Sequence, residues 1–148
     1  MAHDLDLAYL AGVIDSDGHI TINESTRKGR MYHGAVVGIT GTRREPHDLA
    51  SATWGGNVRS HQPKNPRHRL VYLWGKQGAG AAKVISDVLP FLRVKREIAL
   101  VALELQEHVA AGNSDDPFPW FGPHYDPIPD RRRLREQIAS LVQNRQAA

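Results

Sequence analysis

The chain has 148 residues with 41% hydrophobic content, enough to bury one core and too short for two. The absence of cysteine excludes disulfides and thiolate metal sites, and none of the eight histidines falls at a close zinc spacing. A formal net charge of +3 permits a nucleic-acid partner without requiring one, while the lack of any apolar run of membrane length and the acidic start Ala2-His3-Asp4-Leu5-Asp6 predict a soluble intracellular protein.

Residues 5–14 fit a helix better than a strand. Leu7, Leu10 and Ile14 recur at i, i+3 and i+7 and are predicted to face the core. Ala8, Ala11, Gly12 and Asp15 fall on another face, small enough for a second helix to approach backbone to backbone. Asp17 then arrives at the helix C-terminus, where the macrodipole disfavours an anion and a symmetry-related copy would repel it. A carboxylate so badly placed for stability points to a cation, and an oxygen site of that kind suits Mg²⁺.

Residues 19–24 alternate polar and apolar as a strand does, with Ile20 and Ile22 on one face. A basic loop at 25–30 leads to a second strand over 32–40, with His33, Ala35, Val37 and Ile39 on one side. Pro46 and residues 48–54 predict a short helix stopped by Gly55-Gly56. Strands at 57–61 and 67–74 follow, then a Gly/Ala-rich helix over 77–89, a break at Pro90, and a long helix from Leu92 with Val94, Ile98, Val101 and Leu105 as its buried stripe. The order is αββαββα, an α+β arrangement. Residues 1–111 form the predicted core domain and 112–129 a connection with five prolines, predicted to lay Phe118, Trp120, Phe121 and Tyr125 against the domain. Residues 130–148 form a helical extension capped by Asp130, apolar at Leu134, Ile138, Leu141 and Val142. Its cluster Arg131, Arg132, Arg133 and Arg135 suits either a solvated face or flanking phosphates.

The stretch Leu10-Ala11-Gly12-Val13-Ile14-Asp15-Ser16-Asp17-Gly18 resembles the nine-residue signature of the LAGLIDADG homing endonucleases, departing only at Val13 and Ser16. Trp54-Gly55-Gly56-Asn57-Val58 resembles the family's turn into the third strand, and Leu89-Pro90-Phe91-Leu92-Arg93-Val94-Lys95-Arg96 its Pro-aromatic-Leu-x-x-Lys block. The resemblance extends to about residue 111 and implies four antiparallel strands forming a saddle over double-stranded DNA. One copy of the motif implies a homodimer on a long, nearly palindromic site. Asp17 of each protomer would clasp Mg²⁺ or another divalent cation, with the Ser16 backbone carbonyl as a further ligand, for hydrolysis of one phosphodiester per strand. Lys95 would stabilise the transition-state phosphate. Ala8, Ala11, Gly12 and Asp15 would form the dimer seam. Where many relatives place a water-holding Gln near the end of the second strand, this chain has Gly41. The family implies intron or intein mobility and, in a prokaryote or phage, a cytoplasmic or nucleoid-associated protein.

Strand alternation selects the DNA-facing residues: His19, Thr21, Asn23 and Ser25 on the first strand, with Tyr32 and Thr40 among small outward residues of the second. Arg43 follows that strand; Arg59 and His61 are candidates on the third, Arg67 and Arg69 on the fourth. Arginine is the commonest reader of guanine edges. A DNA- or RNA-binding relative without cleavage, maturase-like, is the alternative. A haloacid-dehalogenase-like phosphatase would read Asp15 as nucleophile, Asp17 as acid, and Thr40, Lys95 and Asp115/Asp116 as later motifs, but it requires alternating βαβ units. An EF-hand fails because Ile20 occupies the required glycine position.

Overall fold

The computed structural model describes residues 3–114, 117, 118, 120–122 and 124–147. Helix α1 spans Asp4–Asp17. His3 caps its start by accepting the Leu5 N–H at 3.2 Å, and Asp4 and Asp6 suit the positive end of the dipole. Strands β1 (Gly18–Arg27) and β2 (Arg30–Gly41) follow, then α2 (Glu45–Trp54), β3 (Arg59–His61), β4 (Val71–Gln77), α3 (Ala79–Val88), a 3₁₀ turn (Leu89–Phe91), α4 (Arg96–Gly112) and α5 (Ile128–Ala147). The architecture is α+β, with a four-stranded sheet in the order β1-β2-β4-β3. Every neighbouring pair is antiparallel, which rules out the alternating parallel βαβ units that the phosphatase reading needs. Asp115 and Asp116, invoked for that reading, lie outside the described residues, as do Pro119 and Pro123 of the connection.

Alternation decides which sheet face is buried. Ile20 and Ile22 of β1, Ala35, Val37 and Ile39 of β2, and Trp74 of β4 point toward the helices. They meet Leu10, Ala11 and Ile14 of α1, Val84, Ile85 and Val88 of α3, and Ile98, Ala99, Val101, Ala102 and Leu105 of α4 in one core. The opposite sheet face contributes no residue to this core, and His19, Asn23, Tyr32 and Thr40 on it are exposed. Two tryptophans pin α2 to this frame. Trp54 Nε1 donates to Asp87 Oδ2 at 2.9 Å and Trp74 Nε1 to the Gly55 carbonyl at 2.9 Å.

The elements depart from the sequence reading at several ends. The predicted loop at 25–30 is strand except for Lys28 and Gly29, whose φ values of 51° and 77° make the tight turn a right-twisted hairpin requires. β4 begins at Val71, leaving Arg67 and Arg69 in the connection from β3. α4 begins at Arg96, so Val94 precedes it and is exposed rather than buried. The cause is Asp15, whose carboxylate accepts the Arg93 and Lys95 N–H groups at 2.8 and 2.9 Å and holds this segment out of helical register. α5 starts at Ile128, and the side chain that meets its first N–H is Asp126, at 3.0 Å, not Asp130. Asp130 instead accepts the Tyr125 hydroxyl. Burial first, then Asp130, pushes that phenol up to about 12. Phe118 and Phe121 pack on the Tyr125 ring, with centroids 4.9 and 4.4 Å away, whereas Trp120 is exposed rather than laid down.

Candidate nucleic-acid interface and metal centre

The end of α1 meets the start of β1 with no intervening residue. Gly18 makes this possible. Its N–H closes the helix on the Ile14 and Val13 carbonyls, and a Cβ there would stand 2.7 Å from Ile14 Cα and 2.8 Å from the Gly38 oxygen. Lys95 reaches the same end from the far half of the sequence, its Nζ donating to the Ile14 and Asp15 carbonyls at 2.8 and 2.7 Å. A cation at this end offsets the macrodipole and adds a donor to carbonyls of the last turn, that of Ile14 already meeting the Gly18 N–H. Burial holds the Lys95 ammonium below the usual lysine range, while Asp15 and Asp17 pull it back upward. An ammonium has three N–H donors, so two bonds to α1 leave one for a further oxygen.

The two carboxylates of the motif part company here. Asp15, expected at the dimer seam, accepts the Arg93 and Lys95 N–H groups within its own chain. Asp17 is exposed, ends the helix, and among the described residues has no such backbone clamp. The Ser16 hydroxyl donates back to the Gly12 carbonyl at 2.9 Å, which holds that side chain against its own helix. Among the described residues no three His, Cys, Asp or Glu side chains converge on a metal site. The donors at this end are hard oxygens, one carboxylate and one carbonyl per chain. That set matches the preference of a divalent cation but supplies far fewer than the roughly six ligands it takes.

The proposed seam is also redistributed. Ala11 is wholly buried in its own core, because it shares a face with Leu10 and Ile14, and it cannot touch a second helix. Gly12 is exposed, with no atom within 4 Å of where a Cβ would lie, and Ala8 is half-buried. Leu5 and Tyr9, 73% and 50% exposed, stand on the same outer side. Helical spacing joins Leu5, Ala8, Tyr9 and Gly12 into the uncovered face.

On the open side of the sheet the strand register brings the predicted residues into rows. His19 lies opposite Gly38, Thr21 opposite Val36, Asn23 opposite Gly34 and Ser25 opposite Tyr32. Thr40 pairs with Leu73, which pairs with Arg59, and His61 pairs with Val71. All these side chains except those of Thr21, Val36, Ser25, Leu73 and Val71 count among the exposed or glycine positions of the face. The His19 ring lies over Gly38, where a Cβ would stand 2.6 Å from its Cε1. Burial first, then the charge of Lys95, lowers the His19 pKa. Arg43 is exposed in the link to α2, and its carbonyl accepts from His47 Nδ1 at 2.7 Å. Arg67 and Arg69 are exposed but off the sheet.

Three residues of this face escaped the sequence reading. Arg27 and Arg30 form the last row of the β1–β2 hairpin, with the Arg27 guanidinium 5.5 Å from the Tyr32 ring centroid. Gln77 pairs with Val36 at the end of β4. Residues 25–30 are so polar that they read as a loop, yet Lys28-Gly29 flanked by alternating residues is itself a hairpin signal. The C-terminal arginines are largely spoken for within the chain. Arg132 and Arg135 each donate to the Glu24 carboxylate at 3.0 Å, Arg133 pairs with Asp130 at 3.1 Å, and Arg131 Nε approaches His108 Nδ1 at 3.2 Å.

No protein-family profile matches the chain, and no curated protein matches it. Solved structures do. The homing endonuclease I-CvuI, in complex with the I-CreI target in 2 mM Mg with the DNA not cleaved, aligns with a TM-score of 0.69 at 16% identity, over 94% of this chain and 83% of that one. The archaeal intron-encoded homing endonuclease I-Vdi141I, complexed with DNA, aligns with a TM-score of 0.60 at 13% identity, over 95% and 98%. The LAGLIDADG homing endonuclease I-GzeII, with its DNA target, aligns with a TM-score of 0.57 at 9% identity, over 77% of this chain and 40% of that one. The fold of the chain is that of these endonucleases.

Proposed function

We propose that the protein is a site-specific, divalent-metal-dependent DNA endonuclease of the LAGLIDADG type, acting as a homodimer on a long pseudo-palindromic site. One observation carries the reading: an exposed Asp17 closes α1 where the open sheet face begins. Two chains joined through the outer side of α1, at Leu5, Ala8, Tyr9 and Gly12, would bring two Asp17 carboxylates and two Ser16 carbonyls together. Those oxygens, with substrate phosphate and water, would hold Mg²⁺. The cation, when bound, supplies Lewis acidity toward the phosphate and a more acidic water.

The chain's own residues have distinct tasks. Asp15 and Lys95 fix the end of α1, so Asp17 is held by a rigid helix terminus rather than a mobile loop. The third N–H of Lys95 faces the same region and would meet charge growing on the phosphate. His19, Thr21, Asn23, Ser25, Tyr32 and Thr40 would contact one side of the half-site, and Arg59 and His61 the other, with phosphate contacts outnumbering base contacts. Arg43, Arg67 and Arg69 would reach backbone beyond the sheet. A relative that binds DNA without cutting is the second reading, favoured by Gly41, which has no side chain to hold a water where the resemblance implies one.

Asp17→Asn separates these readings. Cleavage in Mg²⁺ of a duplex selected from a randomised library should vanish while affinity stays within a few-fold, since the change removes a metal ligand and no phosphate contact. Wild-type cleavage by Asp17→Asn would refute the metal assignment; wild-type binding without cleavage would leave the second reading.

A further inference from the structure

Helix α5 runs antiparallel to β1 along the edge that no other strand covers. Arg132 and Arg135 meet Glu24 near the far end of β1, Ile138 is buried midway, and Val142 and Gln143 share a groove of about 670 Å³ with His19 and Thr21. The two rises keep these elements in step. Five residues of strand from Glu24 back to His19 cover about 17 Å, and eight to eleven residues of helix on to Gln143 cover about 12–17 Å. The end of α5 therefore arrives level with the start of β1. Arg145 lies close enough to Lys95 to depress the ammonium further. Arg145, three residues beyond Val142, continues the stripe of α5 that faces β1, so its charge and that of Lys95 act on the same side of the sheet edge, an arrangement that a bound anion relieves.

We propose that α5 supplies Arg145 and Gln143 as positioning residues for the DNA phosphate that faces Asp17, so that the last turns of this helix hold the substrate backbone at the cleavage point. This rests on the endonuclease reading. A guanidinium presents paired N–H donors that match two phosphate oxygens. The Gln143 carboxamide can donate to a neighbouring phosphate oxygen and accept from a water. Lys95, with two donors spent on α1, cannot alone surround a phosphate.

The test uses full-length Arg145→Ala, Arg145→Lys and Gln143→Ala on the library-selected duplex, with Arg133→Ala as the control from the opposite end of α5. Arg145→Ala should slow single-turnover cleavage about tenfold or more at saturating DNA, with thermal melting unchanged. It should also reduce the slope of log affinity against log salt by about one unit. Arg145→Lys should recover part of the rate, Gln143→Ala should slow cleavage without altering the salt slope, and Arg133→Ala should match wild type. Wild-type rate and salt slope in Arg145→Ala would overturn the proposal. If the wild type binds DNA without cutting, the endonuclease reading fails alone and the salt slope decides Arg145. If it binds no duplex DNA, both fall.

Discussion

At the scale of single residues, neighbours in one motif have opposite fates. Asp15 is consumed by two backbone N–H groups while Asp17, two positions on, stays open. The sequence placed both at the helix end but gave no way to see that residues 93–95 would return there. Gly18 was legible as a turn glycine, although its reason is close approach of β2 rather than a left-handed backbone, its φ being −95°. Gly18→Ala should accordingly cost about 1–3 kcal/mol through forced displacement of α1 from β2, measured as a lowered urea midpoint at unchanged m-value. Gly12 offers the contrasting case. A Leu there meets nothing in its own protomer, so Gly12→Leu should leave urea stability of the isolated protomer intact while blocking association, whereas Ala11→Phe should unfold the core.

At the scale of elements, periodicity revealed the two long hydrophobic faces and the order of strands, because a pattern of buried residues survives local noise. It failed at ends. Strand termini rich in Arg, Lys and Ser looked like loops, and α4 looked four residues longer because nothing local announces the Asp15 clamp. Attachment of α5 to the sheet shows a further limit, since an arginine run reads as solvated whether or not a carboxylate lies opposite. Glu24 accepts both Arg132 and Arg135, and beside it His33 Nε2 lies 3.8 Å away. The Arg132 hydrogen bond leads in lowering the Glu24 pKa. A carboxylate so depressed contributes its stabilisation in full above the ordinary glutamate range and loses it as pH falls through the lowered value. Acidification should therefore loosen α5 before the core. Hydrogen exchange at pH below the ordinary glutamate range should show α5 amides losing protection while those of β2 keep theirs, and Glu24→Gln should reproduce the effect at neutral pH.

At the scale of the whole molecule, the proposed function calls for a second copy. The exposed Leu5 and Tyr9 flank a glycine with open space around it, and this is the face through which the proposed dimer would form. Light scattering of the native protein should give twice the 16.5 kDa chain mass, and Gly12→Leu should give the single mass with cleavage lost. A monomer that still cuts both strands would refute the shared centre. Target length and sequence were never legible, because they depend on how two sheets lie along one duplex.

The bonds from Lys95 to the Ile14 and Asp15 carbonyls span about eighty residues of sequence, which gives the protein an order of events during its own synthesis. Helix α1 is synthesised before α4, yet its terminus stays unlocked until α4 has emerged and folded back. A chain that stops short of α4 lacks the lysine that holds this helix end. Under the proposed chemistry, Asp17 would therefore be set in place only after α4 has folded, a delay written into the order of the elements.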